Sequence, residues 1–131
     1  MWKYFHRCRK GYCEADLQDM DQWFMSVVPP MLRQFAARKK GCPVAFMQEW
    51  FVQNQEKLGM SYEEFLACED HEAIRRQCEA AWKEKICQIA DDFDLAWYHY
   101  TSCEEGWLER AEAYKNQAFA EFSKWFFYLW E

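Results

Sequence analysis

Apolar residues along this chain recur mainly at intervals of three and four, which is the period of an α-helix. The longest such stripe covers residues 74–100, and a second covers residues 107–129. The short segment 101–106 between them predicts a reversal of the chain direction. Two long helices joined in this way pack side by side and run in opposite directions. The pattern therefore predicts an all-α helical bundle built on two long antiparallel helices.

Shorter helices are predicted before this pair. Residues 15–28 show helical spacing, and the pair Pro29-Pro30 is expected to end or kink that helix. Pro30 can open a short helix through Ala36, which Gly41 terminates. We expect these shorter helices to pack across the long pair.

The next helical segments carry clearer start and stop signals. Pro43 suits the first turn of a helix that ends before Gly59. Ser61 and Glu64 have the spacing of a capping box and predict another short helix. Asp70 is a plausible N-cap for the long helix that follows.

Composition agrees with a single helical domain spanning residues 1–131. The chain is 51% hydrophobic and 29% charged, which is typical of a folded protein, and its 4 glycines and 3 prolines provide few turns. Aromatic residues make up 20% of the chain. Such a content predicts either a thick aromatic core or an exposed binding surface.

Charge is unevenly distributed along the chain. The net charge is −6, yet residues 1–40 carry 8 Lys/Arg against 4 Asp/Glu, whereas residues 41–131 carry 8 against 18. This balance argues against binding of long duplex nucleic acid, because phosphate neutralisation dominates that affinity. It still permits a local anion site in the basic amino-terminal part.

The cysteines and the hydropathy pattern predict a cytoplasmic protein, in the cytosol of a host cell. The cysteines number seven, are scattered, and match no disulfide framework, which favours free thiols in a reducing compartment. The longest uncharged run, residues 22–32, is too short to span a bilayer. We expect neither a signal peptide nor a membrane interaction.

The amino-terminal stretch is the first candidate site, because it alternates aromatic and basic residues. Aromatic rings stack on nucleobases, and arginine or lysine pairs with phosphates. Basic residues near 33–40 would join this patch if their helix folds back on it. The predicted ligand-binding residues are Trp2, Tyr4, Phe5, Arg7, Arg9, Lys10, Arg33 and Arg38. The alternative is that the aromatics dock on the bundle while the basic groups lie in solvent.

A second candidate is acidic. Asp91, Asp94, Glu109 and Glu112 lie at similar distances from the predicted reversal, so antiparallel helices would bring them together, and carboxylate clusters bind Mg²⁺. The arrangement loosely resembles the acidic motifs of all-α nucleoside triphosphate pyrophosphatases. Both leading Glu residues of that family are Asp here, and its closing Asp is Glu. The alternative is a solvated helix face, and our leading interpretation includes no metal or cofactor.

Other catalytic signatures are missing from the sequence. It contains neither a glycine-rich phosphate loop nor a nucleophile elbow, and no histidine follows a Glu by three residues. His99, between two tyrosines on a long helix, is expected to be a packed, hydrogen-bonded residue. We therefore predict no catalytic residues.

Residues 119–130 form the third candidate, because their apolar side chains cover more than one helical face. Such a helix is either central to the bundle or meets a partner, such as a second copy of the chain. The predicted oligomer interface consists of Trp125, Phe127, Tyr128 and Trp130.

Three stretches carry a resemblance to a known group: residues 19–29, residues 41–43 and residues 119–131. In that order they resemble small helical proteins encoded by phages and prophages of gut bacteria. The resemblance implies a biological setting and assigns no catalytic residues. Small acidic phage proteins of this kind often block host defence.

Three classes of function are consistent with these patterns. The first is a non-enzymatic anti-defence protein, which sequesters a nucleotide immune signal or caps a host defence protein. The second is a Mg²⁺-dependent nucleotide pyrophosphohydrolase that uses the four carboxylates. The third is a purely structural helical oligomer. We favour the first class.

Overall fold

The structure is a computed structural model that describes Arg9 and residues 11–130. This part of the chain is all-helical and contains six α-helices and no strand. A 3₁₀ turn, Phe126–Tyr128, follows the last of them. The helices are α1 Glu14–Gln18, α2 Met20–Arg38, α3 Val44–Leu58, α4 Tyr62–Ala67, α5 Glu72–Ser102 and α6 Trp107–Trp125.

Helix α5 provides the centre of the core, as its apolar stripe predicts. Its fully buried side chains fall three or four residues apart and therefore share one face of the helix. These residues are Cys78, Trp82, Ile86, Ile89 and Phe93. A helix with such a stripe must bury it against neighbouring elements.

Helix α6 covers one side of α5 through aromatic contacts. Trp82 meets Trp125 with ring centroids 5.5 Å apart, Phe93 meets Phe119 at 4.9 Å, and Tyr100 meets Trp107 at 5.6 Å. Residues 103–106 connect the two helices. Cys103 and Gly106 both have positive φ there, which allows the chain to leave one helix and enter the next.

Helix α2 packs on another side of α5, and it does not end at the prolines, where the sequence predicted an end or a kink. Its 19 residues run without interruption through Pro29 and Pro30. The ring of Phe24 lies 5.1 Å from that of Phe93, and Leu32 also belongs to the core. This packing offsets the backbone hydrogen bonds that the prolines cannot donate. The predicted short helix between Pro30 and Gly41 is therefore part of one long helix.

Helices α3 and α4 add a smaller aromatic cluster beside the core. Phe51 packs against Phe65 and Tyr62, with ring centroids 4.9 and 5.6 Å away. Two predicted helix boundaries are confirmed here: Gly59 ends α3 with φ of 71°, and the Ser61 side chain accepts a hydrogen bond from the Glu64 backbone N–H.

Two other features refine the sequence prediction. The N-cap position of α5 is occupied by His71, one residue after the predicted Asp70. Among the residues that the structure describes, none of the helices combines the length and apolar character needed to cross a bilayer.

Candidate functional site: an aromatic surface beside an apolar groove

The predicted nucleotide site falls partly on residues that the structure describes. Arg9 is exposed, and Arg38 is exposed in the last turn of α2. The remaining amino-terminal members of the site lie outside the described residues: Trp2, Tyr4, Phe5, Arg7 and Lys10. Their role in ligand binding stays a prediction.

Arg33 is already engaged by two carboxylates. Its guanidinium donates hydrogen bonds to Asp91 at 2.8 Å and to Asp94 at 2.6 Å, which ties α2 to α5. The hydrogen bond to Asp91 is the main reason that the pKa of Arg33 is raised above its ordinary value. A phosphate at Arg33 would have to displace these carboxylates.

The same contact bears on the alternative metal site. Asp91 and Asp94 face the cation of Arg33, while Glu112 on α6 pairs with Lys115. In the described part of the chain, no group of three or more His, Cys, Asp or Glu residues is placed to hold a metal ion. Asp91, Asp94, Glu109 and Glu112 are therefore not assembled into a carboxylate cluster there.

Trp125 belongs to the core, which corrects its predicted place in an oligomer interface. Its ring lies 5.5 Å from those of Phe46 and Trp82, and its indole N–H donates to a carboxylate oxygen of Glu121 at 3.3 Å. The segment thus has two parts: α6 is a bundle element up to Trp125, and the residues after it have different surroundings.

An aromatic surface follows directly after Trp125. We give this name to Phe126, Phe127, Tyr128 and Trp130, which are all exposed. Phe127 is 84% exposed and Trp130 is 65% exposed. Because the chain tightens from α6 into a 3₁₀ turn, consecutive side chains point in different directions. Three of the four predicted interface residues therefore belong to this surface.

An apolar groove adjoins the aromatic surface. It has a volume of about 220 Å³ and lies between α2 and the end of the chain. Phe122, in its wall, packs on Phe126 with ring centroids 5.6 Å apart, so the groove and the aromatic surface are continuous. The groove residues are Val28, Met31, Leu32, Phe35, Phe122 and Leu129.

Basic side chains border the aromatic surface. The Lys39 ammonium donates to the Trp130 carbonyl oxygen at 3.0 Å and lies 5.2 Å from the centre of the Trp130 ring. Arg38 and Lys40 flank Lys39 and are exposed. Lys124 lies 4.9 Å from the centre of the Trp125 ring and pairs with Glu49 at 2.7 Å. Lys39 therefore places a positive charge against the aromatic surface in a protein whose net charge is negative, whereas Lys124 contacts a core residue and is already paired.

A second cavity, of about 190 Å³, lies near the other end of the long helices. Met25, Trp97 and Tyr100 form apolar parts of its wall, and the ion pair of Lys115 with Glu112 forms a polar part. Because these two charges already neutralise each other, they offer little attraction to a charged ligand.

His99 has the packed environment that the sequence predicts. Its Nδ1 accepts a hydrogen bond of 3.4 Å from Arg110, and its ring stacks on Tyr114 with an interplanar angle of 6°. These contacts explain the position of His99 without a catalytic role.

The sequence interpretation missed Met31, Lys39 and Phe126 as parts of one surface. Phe126 had a visible signal, because it belongs to the apolar run at residues 126–130. Lys39 and Trp130 are 91 positions apart in sequence, and Met31 is further from Trp130 than Lys39 is. Comparison of the chain with protein-family models, curated proteins and solved structures finds no match.

Proposed function

We propose that this chain is a non-enzymatic binding protein that captures a protein partner through its aromatic surface and the adjoining groove. The partner's contact region would have an apolar centre flanked by carboxylates. The observation that carries this proposal is the cluster of four exposed aromatic side chains beside an apolar groove.

Exposed aromatic residues supply the driving force in this proposal. Soluble proteins rarely leave large contiguous apolar patches in water, and patches of this kind mark interaction sites. Full burial of one large apolar side chain contributes about 1.5–3 kcal/mol. Phe127 and Trp130 have the most area to lose to a partner, so we expect them to be the energetic centre of the interface.

The basic border indicates the chemistry of the partner. Lys39 contacts Trp130 at the C-terminal end of α2, and the exposed Arg38 and Lys40 are its neighbours in sequence. Charges at the rim of an interface guide partner choice and the rate of association. Carboxylates around the partner's apolar centre would complement them, whereas lysines there would be repelled.

The helical frame and the biological setting complete the proposal. We propose that α5 and α6 are the long antiparallel pair of the bundle; the order of their ring contacts, from Trp82–Trp125 to Tyr100–Trp107, supports this arrangement. The resemblance to phage proteins supports a role in anti-defence, with capping of a host defence protein as the specific mechanism.

The test uses two synthetic amphipathic helical peptides with the same Leu/Phe face, one flanked by Glu and one by Lys. Fluorescence anisotropy with the full chain should give tighter binding of the Glu peptide. The double substitution Phe127→Ser/Trp130→Ser should weaken this binding at least about tenfold. Val52→Ser is a matched control, because Val52 is 76% exposed on α3, outside both the aromatic surface and the groove.

The outcomes separate this proposal from the other classes of function. Equal binding by the wild type and the double variant would overturn it. Concentration-dependent self-association in light scattering, lost in the double variant, would indicate that a second copy occupies the surface and favour a structural oligomer.

Native mass spectrometry with a pool of nucleotides tests the remaining predictions. A retained, intact nucleotide that Arg7→Ala/Arg9→Ala abolishes would support nucleotide sequestration. A shortened product, lost in Asp94→Asn and on chelation of Mg²⁺, would support hydrolysis.

A further inference from the structure

Two cysteine sulfurs lie in contact at the junction between α2, α3 and α5. The Sγ atoms of Cys42 and Cys78 are 3.1 Å apart, although the residues are separated by 36 positions in sequence. Cys42 lies in the connection from α2 to α3, and Cys78 lies in the buried stripe of α5. Thiols in such contact are close to the geometry in which a disulfide forms.

The two thiols have different surroundings. Cys42 is half-buried, whereas Cys78 is 0% exposed. A hydrogen bond from the Cys78 thiol stabilises the Cys42 thiolate and is the main cause of the lowered pKa of Cys42. Burial and the charge of Glu79 oppose this effect, and the charge of Lys39 adds to it more weakly. The same hydrogen bond and burial raise the pKa of Cys78. Cys42 is therefore the thiol suited to react first with a reagent from solvent.

We propose that Cys42 and Cys78 form a redox-active pair that hydroperoxides convert into a reversible disulfide. The Cys42 thiolate attacks one oxygen of hydrogen peroxide, the O–O bond breaks, and Cys42 sulfenic acid and hydroxide form. The Cys78 sulfur then attacks the Cys42 sulfur, and the sulfenic oxygen leaves with a proton as water. Two thiols and one peroxide thus yield one disulfide and two waters.

The backbone around Cys42 can accommodate the new bond. The two sulfurs must approach by about 1 Å to reach the usual S–S length of roughly 2.05 Å. Cys42 lies outside the helices, and its neighbour Gly41 has φ of 76° with open space around its Cα. The connection between α2 and α3 can therefore move while Cys78 stays fixed in α5.

Reduction would restore both thiols through the half-buried sulfur of Cys42, which is the more accessible of the two. The thiolate of an added dithiol attacks the Cys42 sulfur and releases the Cys78 thiolate, which takes up a proton. The second thiol of the reagent then displaces Cys42 from the mixed disulfide. The dithiol leaves as its cyclic disulfide.

The test is peroxide treatment of the reduced full-length protein, followed by alkylation and peptide mapping under non-reducing conditions. We expect a mass loss of about 2 Da, which is two hydrogens, and a cross-linked peptide that contains Cys42 and Cys78. Dithiothreitol should reverse both changes. The wild-type protein alone provides this result, so the test does not depend on a variant that folds poorly.

Variants assign the order of the steps. Cys78→Ser should accumulate Cys42 sulfenic acid, detected as a dimedone adduct, and Cys42→Ser should leave Cys78 unoxidised. Cys103→Ser is the matched control, since Cys103 is exposed and lies at the far end of α5, and it should form the cross-link as the wild type does. Unchanged alkylation of Cys42 after peroxide, or cross-links that exclude Cys78, would overturn the proposal.

Discussion

At the scale of single residues, Trp125 and Phe127 are two positions apart and have opposite environments. Substitutions at the two positions should therefore have different effects on stability. Trp125 is buried against Phe46 and Trp82, whereas Phe127 is 84% exposed. Trp125→Ala should lower the free energy of unfolding by about 3–5 kcal/mol, because it leaves a cavity in the core. Phe127→Ala should change it by less than about 0.5 kcal/mol.

Urea unfolding monitored by far-UV circular dichroism measures the free energy of unfolding of both variants without relying on tryptophan fluorescence. The same variants should show the reverse order in partner binding, where Phe127→Ala has the larger direct effect. A large loss of stability in Phe127→Ala would contradict the separation between the core and the exposed aromatic surface.

Asp92 is a carboxylate on the buried side of α5, and because its pKa is raised we expect the stability of the protein to depend on pH. Asp92 is only 7% exposed. Its pKa is raised, mainly by burial, then by the charge of Asp91 and, more weakly, of Glu121, while Lys85 acts in the opposite direction. The folded state therefore holds this proton to a higher pH than the unfolded chain does.

The sign of the effect follows from that difference in proton binding. As the pH rises from the ordinary carboxyl pKa of 3.8 to the raised value, the contribution of Asp92 to stability falls, and the loss is complete above the raised value. Asp92→Asn removes this penalty. We expect it to stabilise the protein at pH 7 and to lose this advantage below the ordinary pKa.

Urea titrations of Asp92→Asn at several pH values check this expectation. Glu84→Gln is the matched control, because Glu84 is an exposed carboxylate on the same helix, and it should show no comparable gain. A destabilised Asp92→Asn at pH 7 would mean that the charge of Asp92 is favourable in the folded protein.

At the scale of elements, the two prolines are the residues of α2 that are least favourable for helix stability. Pro29 is fully buried, whereas Pro30 is exposed. A proline inside a helix removes a backbone donor and costs roughly 3 kcal/mol or more. Pro30→Ala restores an N–H that can donate to the carbonyl of Ser26. We expect a gain of about 1 kcal/mol, since Pro29 still limits the regularity of this turn.

Pro29→Ala is the comparison for this prediction. Its restored N–H is offset by the loss of buried contacts, so it should stabilise less than Pro30→Ala or destabilise. Thermal unfolding of both variants measures the difference. Equal gains at the two positions would contradict the role of burial in keeping the prolines within α2.

The elements that sequence patterns predicted well are those in which one local rule dominates. The apolar stripe of α5 fits a helix over its whole length, and Gly59 and Ser61 occupy their expected cap positions. A helix end at Pro29 and Pro30 was a wrong prediction, because the sequence rule for proline does not account for packing. Burial of Pro29 beside the core outweighs the local preference to end the helix.

The aromatic surface and the groove, which form the proposed binding site, were only partly predictable for a related reason. Helical spacing shows which residues share a face, but not which helix that face meets. Thus the sequence suggested Asp91 and Asp94 as ligands of an alternative metal site or as part of a solvated face, whereas they meet Arg33, 58 and 61 positions away. The apolar run at residues 126–130 was visible in the sequence, and its connection to Lys39 required the folded chain.

At the scale of the whole molecule, the aromatic side chains form two groups of unequal size. The main core joins α2, α5 and α6 around Trp82 and Phe93, and Phe46 of α3 packs into it; the smaller cluster joins α3 and α4 around Phe51 and Phe65. A short helix held mainly by local contacts opens at a lower free energy than a central one. We therefore expect two levels of stability in the native protein.

Hydrogen exchange resolves these levels. Amides in residues 78–96 should exchange only through global unfolding, and those in residues 62–67 should exchange through a smaller opening. Phe65→Ala should accelerate exchange of residues 62–67 roughly 10- to 100-fold and change the protection of residues 78–96 much less. If both segments lost protection equally, the small cluster and the main core would form one cooperative unit. A partner that binds the aromatic surface should then protect α4 as strongly as α5; with two units, its effect should be confined to the main core.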